Sequence, residues 1–215
     1  DAVITHGYPT PPPVAASQVE DLRRSLAIPE AASVFWFVGS FAWTYDLGTV
    51  IQAARGLAHR TDVYFVLSGT GDREQAWRTQ AAGLPNVRFT GWVDRHTIAV
   101  LGRMATAGLL AYVPDAPNSL TNKLFEYLSA GLPVLAGLGG EAQALVRQWG
   151  CGLPYRPGDP ADLKRVVLAL VDDPPLRARL AAGSRHAFAT AFSEEVIYPR
   201  LVRYLEEQVT ANARS

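Results

Sequence analysis

The sequence predicts an α/β domain, a Rossmann-like parallel sheet with helices on both faces. Two observations carry this. Short apolar runs alternate with amphipathic helical patterns through six units, and parallel strands need crossover helices between them. The runs are apolar nearly throughout, as in SVFWFVG (33–39), which suits strands buried on both faces.

The elements follow in order. Residues 9–13 read PTPPP, a stiff extended connector unsuited to helix or central strand. After the strand at 33–39, DLGTVIQAARGLA (46–58) places Leu47, Val50, Ile51, Ala54, Leu57 and Ala58 on one helix face, with Asp46 as its cap. A strand at 63–69, a helix at 73–82, a strand at 86–91 and a helix at 95–104 come next. The second half gives strands at 107–113 and 132–137 and helices at 121–131 and 141–150, the first of these helices closed by Gly131. Asp159-Pro160 and Asp173-Pro174 each open a further helix with a side-chain cap and a first-turn proline. Ser193 starts the last helix, which Pro199 is expected to kink or interrupt near Tyr198. The expected organisation is therefore a linker region over 1–14, a domain over 15–192 and a C-terminal helix over 193–215.

Composition narrows the function. Twenty basic residues balance twenty acidic ones, so no global field draws the chain to nucleic acid or to an anionic membrane. Cys151 is the only cysteine, which leaves no intramolecular disulfide and no cysteine metal cluster. No run of eighteen apolar residues and no signal peptide is present. The abrupt start at Asp1 with Ala-Val-Ile reads as a boundary within a longer protein. A cytoplasmic location is expected, with peripheral contact at the inner membrane through a further segment left open.

Right-handed crossovers set every strand-to-helix loop along one edge of the sheet, where ligands of such folds bind. The most informative loop there is PNSLTNKLFEYLSAGLPVLAG (117–137). Ser119 or Thr121 can cap its helix, whose free N–H groups form an anion site. Lys123 lies in the first turn, mildly unfavourable for the helix unless a phosphate compensates. Glu126 follows one turn deeper on the same face, where a carboxylate can accept from the hydroxyls of a ribose. The same spacing also suits an exposed i,i+3 pair worth only a few tenths of a kcal/mol.

FVGSFAWTYDLGTVIQAAR, FVLSGTGDRE, NVRFTGWV, NKLFEYLSAGLPVLAG, WGCGLPY and a terminal FSEE fall in one order along nearly the whole chain. That series resembles family 4 of the retaining glycosyltransferases, of GT-B fold. It is most like the subgroup common in bacterial capsule, O-antigen and exopolysaccharide synthesis. The resemblance implies the C-terminal, nucleotide-sugar-binding half of such an enzyme, with Glu126 holding the donor ribose and Lys123 the diphosphate. It implies that Gly39 and Ser40 approach the same phosphates. Gly91, Trp92 and Val93 would meet the base, Trp92 being equally readable as a packing residue. Asn118, Ser119, Leu120, Thr121 and Asn122 would line the donor site, with Gly140 and its neighbours Gly139 and Glu141 near the sugar.

Two departures stand out. The family's earlier glutamate, seven residues before the ribose glutamate, is replaced by Asn118. An Arg and a Lys that many members carry in the first loop are replaced by Ser40 and by Thr44 or Tyr45. Donor identity and the retaining outcome are left open by these changes, and so is the choice between uridine, which is favoured, and guanosine.

Other chemistry finds little support. FVLSGTGDRE has Glu74 where a dinucleotide fingerprint needs its third glycine. There is no Walker A pattern, no G-x-S-x-G elbow and no Asp-x-Asp triplet, so neither a metal nor another cofactor is expected. The four histidines show no ligand spacing, and only His6 lies near the expected domain junction. The expected partners are a nucleotide sugar and an N-terminal acceptor-binding domain of the same protein. The reaction is sugar transfer to an acceptor hydroxyl, and the 215-residue chain alone is expected to be inactive. A non-hydrolysing sugar-nucleotide epimerase and a regulatory nucleotide-binding module are the alternatives.

Overall fold

The computed structural model describes residues 7–117 and 120–212. Its centre is a six-stranded parallel sheet of β1 (Ser33–Val38), β2 (Val63–Ser68), β3 (Val87–Gly91), β4 (Ala107–Ala111), β5 (Val134–Gly137) and β6 (Gly152–Pro154). The strand order is β3-β2-β1-β4-β5-β6. The order reverses between β1 and β4, which makes their carboxyl ends the switch-point crevice at which such sheets bind ligands.

Both faces of the sheet are covered. Phe35 and Phe37 of β1 point into a core closed by α2 (Leu47–Gly56), α3 (Glu74–Gln80) and α7 (Pro160–Asp172). Val34, Trp36 and Val38 point the other way, into a core with α4 (Arg95–Met104), α5 (Asn122–Ser129) and α6 (Gly140–Gln148). This two-sided burial is why the strands read as unbroken apolar runs. The three aspartate caps form as expected. Asp46 accepts from Thr49 N at 3.0 Å, Asp159 from Ala161 N and Asp162 N at 3.0 Å, and Asp173 from Leu176 N at 2.8 Å, opening α8 (Pro174–Ala187).

The structure corrects several details. Helix α1 (Ala16–Ser25) buries no residue fully, so it lacks the strong apolar stripe that would have revealed it. Strand β6 is only three residues long and ends in proline. The strand expected at 132–137 starts at Val134, because Pro133 has no N–H to give. A π-helical turn, Phe188–Phe192, follows α8. The final helix α9 (Glu194–Asn212) runs through Pro199 without interruption. Pro199 is exposed near the helix start, so the Glu195 carbonyl it leaves unpaired can be hydrated.

The proline-rich segment is laid against the domain. Tyr8 pairs with Ser193 as an isolated parallel bridge: Tyr8 N donates to Phe192 O at 2.9 Å and Glu194 N to Tyr8 O at 3.1 Å. Pro9, Pro11 and Pro12 then pass over α4 and α5.

Candidate functional site at the carboxyl edge

One side chain fixes the site. Tyr127 of α5 is fully buried, and its phenol accepts from Val38 N at 3.3 Å and donates to Leu109 O at 3.2 Å. Those two groups belong to β1 and β4, where the strands diverge, so Tyr127 bridges the switch-point crevice from within. Its ring lies directly on Gly108, where a Cβ would collide with it. One turn back along α5, Lys123 is thereby carried over the end of β1.

Lys123 and Gly39 are in immediate contact. Gly39 has φ +149°, and a Cβ there would collide with Lys123 Cε. The loop after β1 therefore needs glycine both for its backbone and for the passage of this lysine. Lys123 Nζ donates to Tyr45 Oη at 2.6 Å and stands 4.0 Å from the Tyr45 ring centroid and 5.4 Å from that of Phe37. Burial acts to raise the Tyr45 phenol. The hydrogen bond and charge of Lys123, with the hydroxyls of Tyr112 and Ser40, outweigh it and bring the pKa below the ordinary phenol value.

A cleft of about 340 Å³ opens beside this contact, lined by Gly39, Ser40, Gly69, Thr70, Trp92 and Val93. Gly69 N donates to Gly91 O at 2.8 Å, which ties the Gly91–Val93 loop to the neighbouring strand end. Trp92 is 74% exposed, so its reading as a packing residue is overturned. Val93 is half-buried against the α4–α5 core. A second cleft, of about 560 Å³, lies at the ends of β4, β5 and β6 between Pro114, Asp115, Gly139, Gly140 and Arg156. Gly140 opens α6 with φ +64°, and Glu141 stands exposed in its first turn.

The start of α5 differs from expectation. Thr121 occupies the cap position, yet its side chain makes no cap bond, and its hydroxyl is buried without a partner. Asn122 is exposed, whereas Leu120 packs partly into the core and is turned from the clefts. Asn118 and Ser119 lie outside the described residues, as does His6.

Glu126 has different surroundings. It lines a cavity of about 50 Å³ with Tyr8, Pro9, Pro12, Arg95 and Ser129. That holds a few waters but no ribose ring. Burial raises the Glu126 pKa above the ordinary carboxylate value, while the Tyr8 hydroxyl and the Lys123 charge pull it back. Lys123 and Glu126 are thus not an exposed pair: Lys123 donates to Tyr45, and both residues are half-buried.

The structure brings Lys123 against Gly39, and Ser40, Trp92 and Val93 line the cleft beside that contact. Sequence reasoning did not assign Tyr8, Tyr45 or Arg156. Ser68, Gly69 and Thr70, part of the FVLSGTGDRE segment but not named as site residues, also line the first cleft.

A family model described as glycosyl transferases group 1 matches residues 32–173. The lipopolysaccharide core biosynthesis glycosyltransferase LpsD of Rhizobium meliloti (strain 1021) is 31% identical over 189 residues, covering 86% of this chain and 51% of that protein. The 2-deoxystreptamine glucosyltransferase of Streptomyces kanamyceticus is 31% identical over 176 residues, covering 79% and 44%. The chain spans about half the length of these curated relatives. Among solved structures, Anabaena HepE in complex with UDP superposes with a TM-score of 0.80 at 19% identity, covering 96% of this chain and 57% of that one. A glycosyltransferase from Rickettsia africae ESF-5 gives 0.83 at 16% identity, covering 96% and 56%. At these identities the two structures establish a shared fold.

Proposed function

This chain belongs to the glycosyl transferases group 1, with the fold of the C-terminal Rossmann-like half of a GT-B enzyme, and we propose that it binds the nucleotide-sugar donor. The donor is a nucleoside diphosphate sugar, UDP favoured and GDP possible, and the acceptor is a hydroxyl in bacterial surface polysaccharide or glycolipid assembly. The observation that carries this reading is Lys123 stretched over Gly39 at the β1–β4 switch point.

Each part of the edge then has a task. Lys123, the N–H groups at the start of α5 and the Gly39–Ser40 loop support the leaving diphosphate, and stabilising that developing charge is the main catalytic contribution. Glu126 receives the ribose, which requires the Tyr8–Pro12 segment to shift from the small cavity it now closes. The Gly91–Val93 loop takes the base, and the cleft with Gly139 and Gly140 takes the sugar. Asn118 stands where the family's first glutamate contacts that sugar, and a retaining outcome with this substitution is part of the proposal. Binding needs no divalent metal, since a lysine and helix N–H groups already face the phosphates.

An N-terminal acceptor domain completes the cleft. Tyr198, Val202, Leu205 and Val209 are spaced along one face of α9 and are all exposed, between 40% and 69%. That apolar stripe supports α9 as the element packing towards this second domain. Among the described residues no helix is long and apolar enough to cross a membrane. The working location is the cytoplasm, with peripheral contact at the inner membrane through the second domain.

The test is twofold. By calorimetry the 215-residue chain should bind UDP or GDP in the presence of a chelator. With a radiolabelled nucleotide sugar and extracted lipid acceptor it should give no transfer. Binding only on addition of magnesium or manganese would refute the metal-free site, and robust transfer by this chain alone would refute the need for a second domain.

A further inference from the structure

The environment of Tyr45 carries an inference that rests on the reading of Lys123 as a diphosphate contact. Tyr45 is half-buried in the loop after β1, and four observations fix its phenol. Its backbone forms an isolated antiparallel bridge with Tyr112, the residue after β4, and Asp46 N donates to Ala111 O at 3.1 Å. Its ring packs against Phe37 at 5.2 Å and against Tyr112 at 4.9 Å. Lys123 Nζ donates to its Oη at 2.6 Å. The remaining polar neighbours of Oη are the hydroxyls of Ser40 and Tyr112.

The hydrogen-bond inventory decides what this phenol can do. An ammonium has three donors and no acceptor, so Lys123 can only give to Oη. Tyr45 keeps one proton of its own, and among the described residues no carboxylate or carbonyl is bonded to receive it. A phenol that accepts from a cation is also a stronger donor than a free one. An ammonium and three hydroxyls, from α5, the β1 loop and the residue after β4, therefore converge at the mouth of the switch-point crevice, with no carboxylate or carbonyl bonded to Oη among the described residues. We infer that Tyr45 donates its phenol proton to the donor diphosphate while holding Lys123 over Gly39, and so is itself a diphosphate-binding residue.

The inference has a pH signature. The groups facing Oη are Lys123 from α5, Tyr112 from just after β4 and Ser40 from its own loop. As pH rises through the lowered Tyr45 pKa, the phenol loses the proton it would donate and gains a charge that repels phosphate. UDP affinity should therefore fall on the alkaline side before an ordinary tyrosine ionises.

The experiment is calorimetric titration of UDP and of uridine into the wild-type chain, Tyr45→Phe and Lys123→Ala across neutral to alkaline pH, with thermal melts. In Tyr45→Phe, UDP binding should weaken about tenfold, the effect of one charge-assisted bond. Uridine binding and the melting temperature should hold, and the early alkaline decline should vanish. Wild-type UDP affinity and an unchanged alkaline decline in Tyr45→Phe, alongside weakening in Lys123→Ala, would overturn the Tyr45 role alone. Absence of UDP and GDP binding in the wild type would overturn the donor-site reading and this inference with it.

Discussion

Lys123 and Glu126 stand one turn apart on α5, yet one faces an open, donor-rich crevice and the other a cavity closed by the proline segment. The Lys123 side is built at strand ends: β1 leads into Gly39, β4 leads into Tyr112, and Tyr127 pins the helix between them. The Glu126 side is built by Tyr8 and the prolines after it, held by two backbone hydrogen bonds to the end of the π-helical turn and the start of α9. The difference teaches that, on the proposed reading, the phosphate contacts are set by the sheet, whereas the ribose contact depends on where the chain before α1 lies.

The largest expected effect falls on both sides at once. Leu128 is fully buried on the apolar face of α5, and Leu128→Ala should cost about 2–5 kcal/mol. A thermal melt should show a fall of about 2–4 °C per kcal/mol for a domain of this size. Gly39→Ala should break only the Lys123 side. The new Cβ collides with Lys123 Cε in a backbone region that strains alanine, at roughly 1–3 kcal/mol. UDP titration should show the loss, and uridine binding should be unchanged.

A smaller effect separates the two sides by pH. Burial raises the Glu126 carboxyl pKa above its unfolded value, so the folded state binds its proton more readily than the unfolded state does. That contribution is complete below the unfolded pKa and is lost as pH rises through the folded one. At neutral pH, above the unfolded carboxyl pKa, burial of Glu126 therefore weighs against stability. Glu126→Gln should melt above wild type at neutral pH, and the gap should close as the medium is acidified. A gap that widened on acidification would contradict the burial described.

How much of this was legible depends on sequence distance. The strands were legible because burial on both faces leaves unbroken runs such as 33–39, and the aspartate caps because an Asp-Pro pair has a local meaning. The segment 117–137 was legible because Lys123, Glu126 and the helix start are neighbours in the chain. The Lys123–Tyr45 bond was not, because its partners are 78 residues apart and meet only once β1 is placed beside β4. The closure of Glu126 was hidden for the same reason, since Tyr8 reads as linker until it pairs with Ser193. Helix α1 and strand β6 were missed because one buries no residue fully and the other is three residues long.

The central claim is that one face of α5 reads phosphate through Lys123 and ribose through Glu126. The most direct measurement is a calorimetric titration of UDP, GDP and uridine against wild type, Lys123→Ala and Glu126→Ala, with a melting control. Lys123→Ala should weaken the diphosphates and leave uridine little changed. Glu126→Ala should weaken all three by about tenfold or more, since each bond to ribose is worth roughly 1.5–3 kcal/mol. Wild-type affinities in both variants would contradict the account.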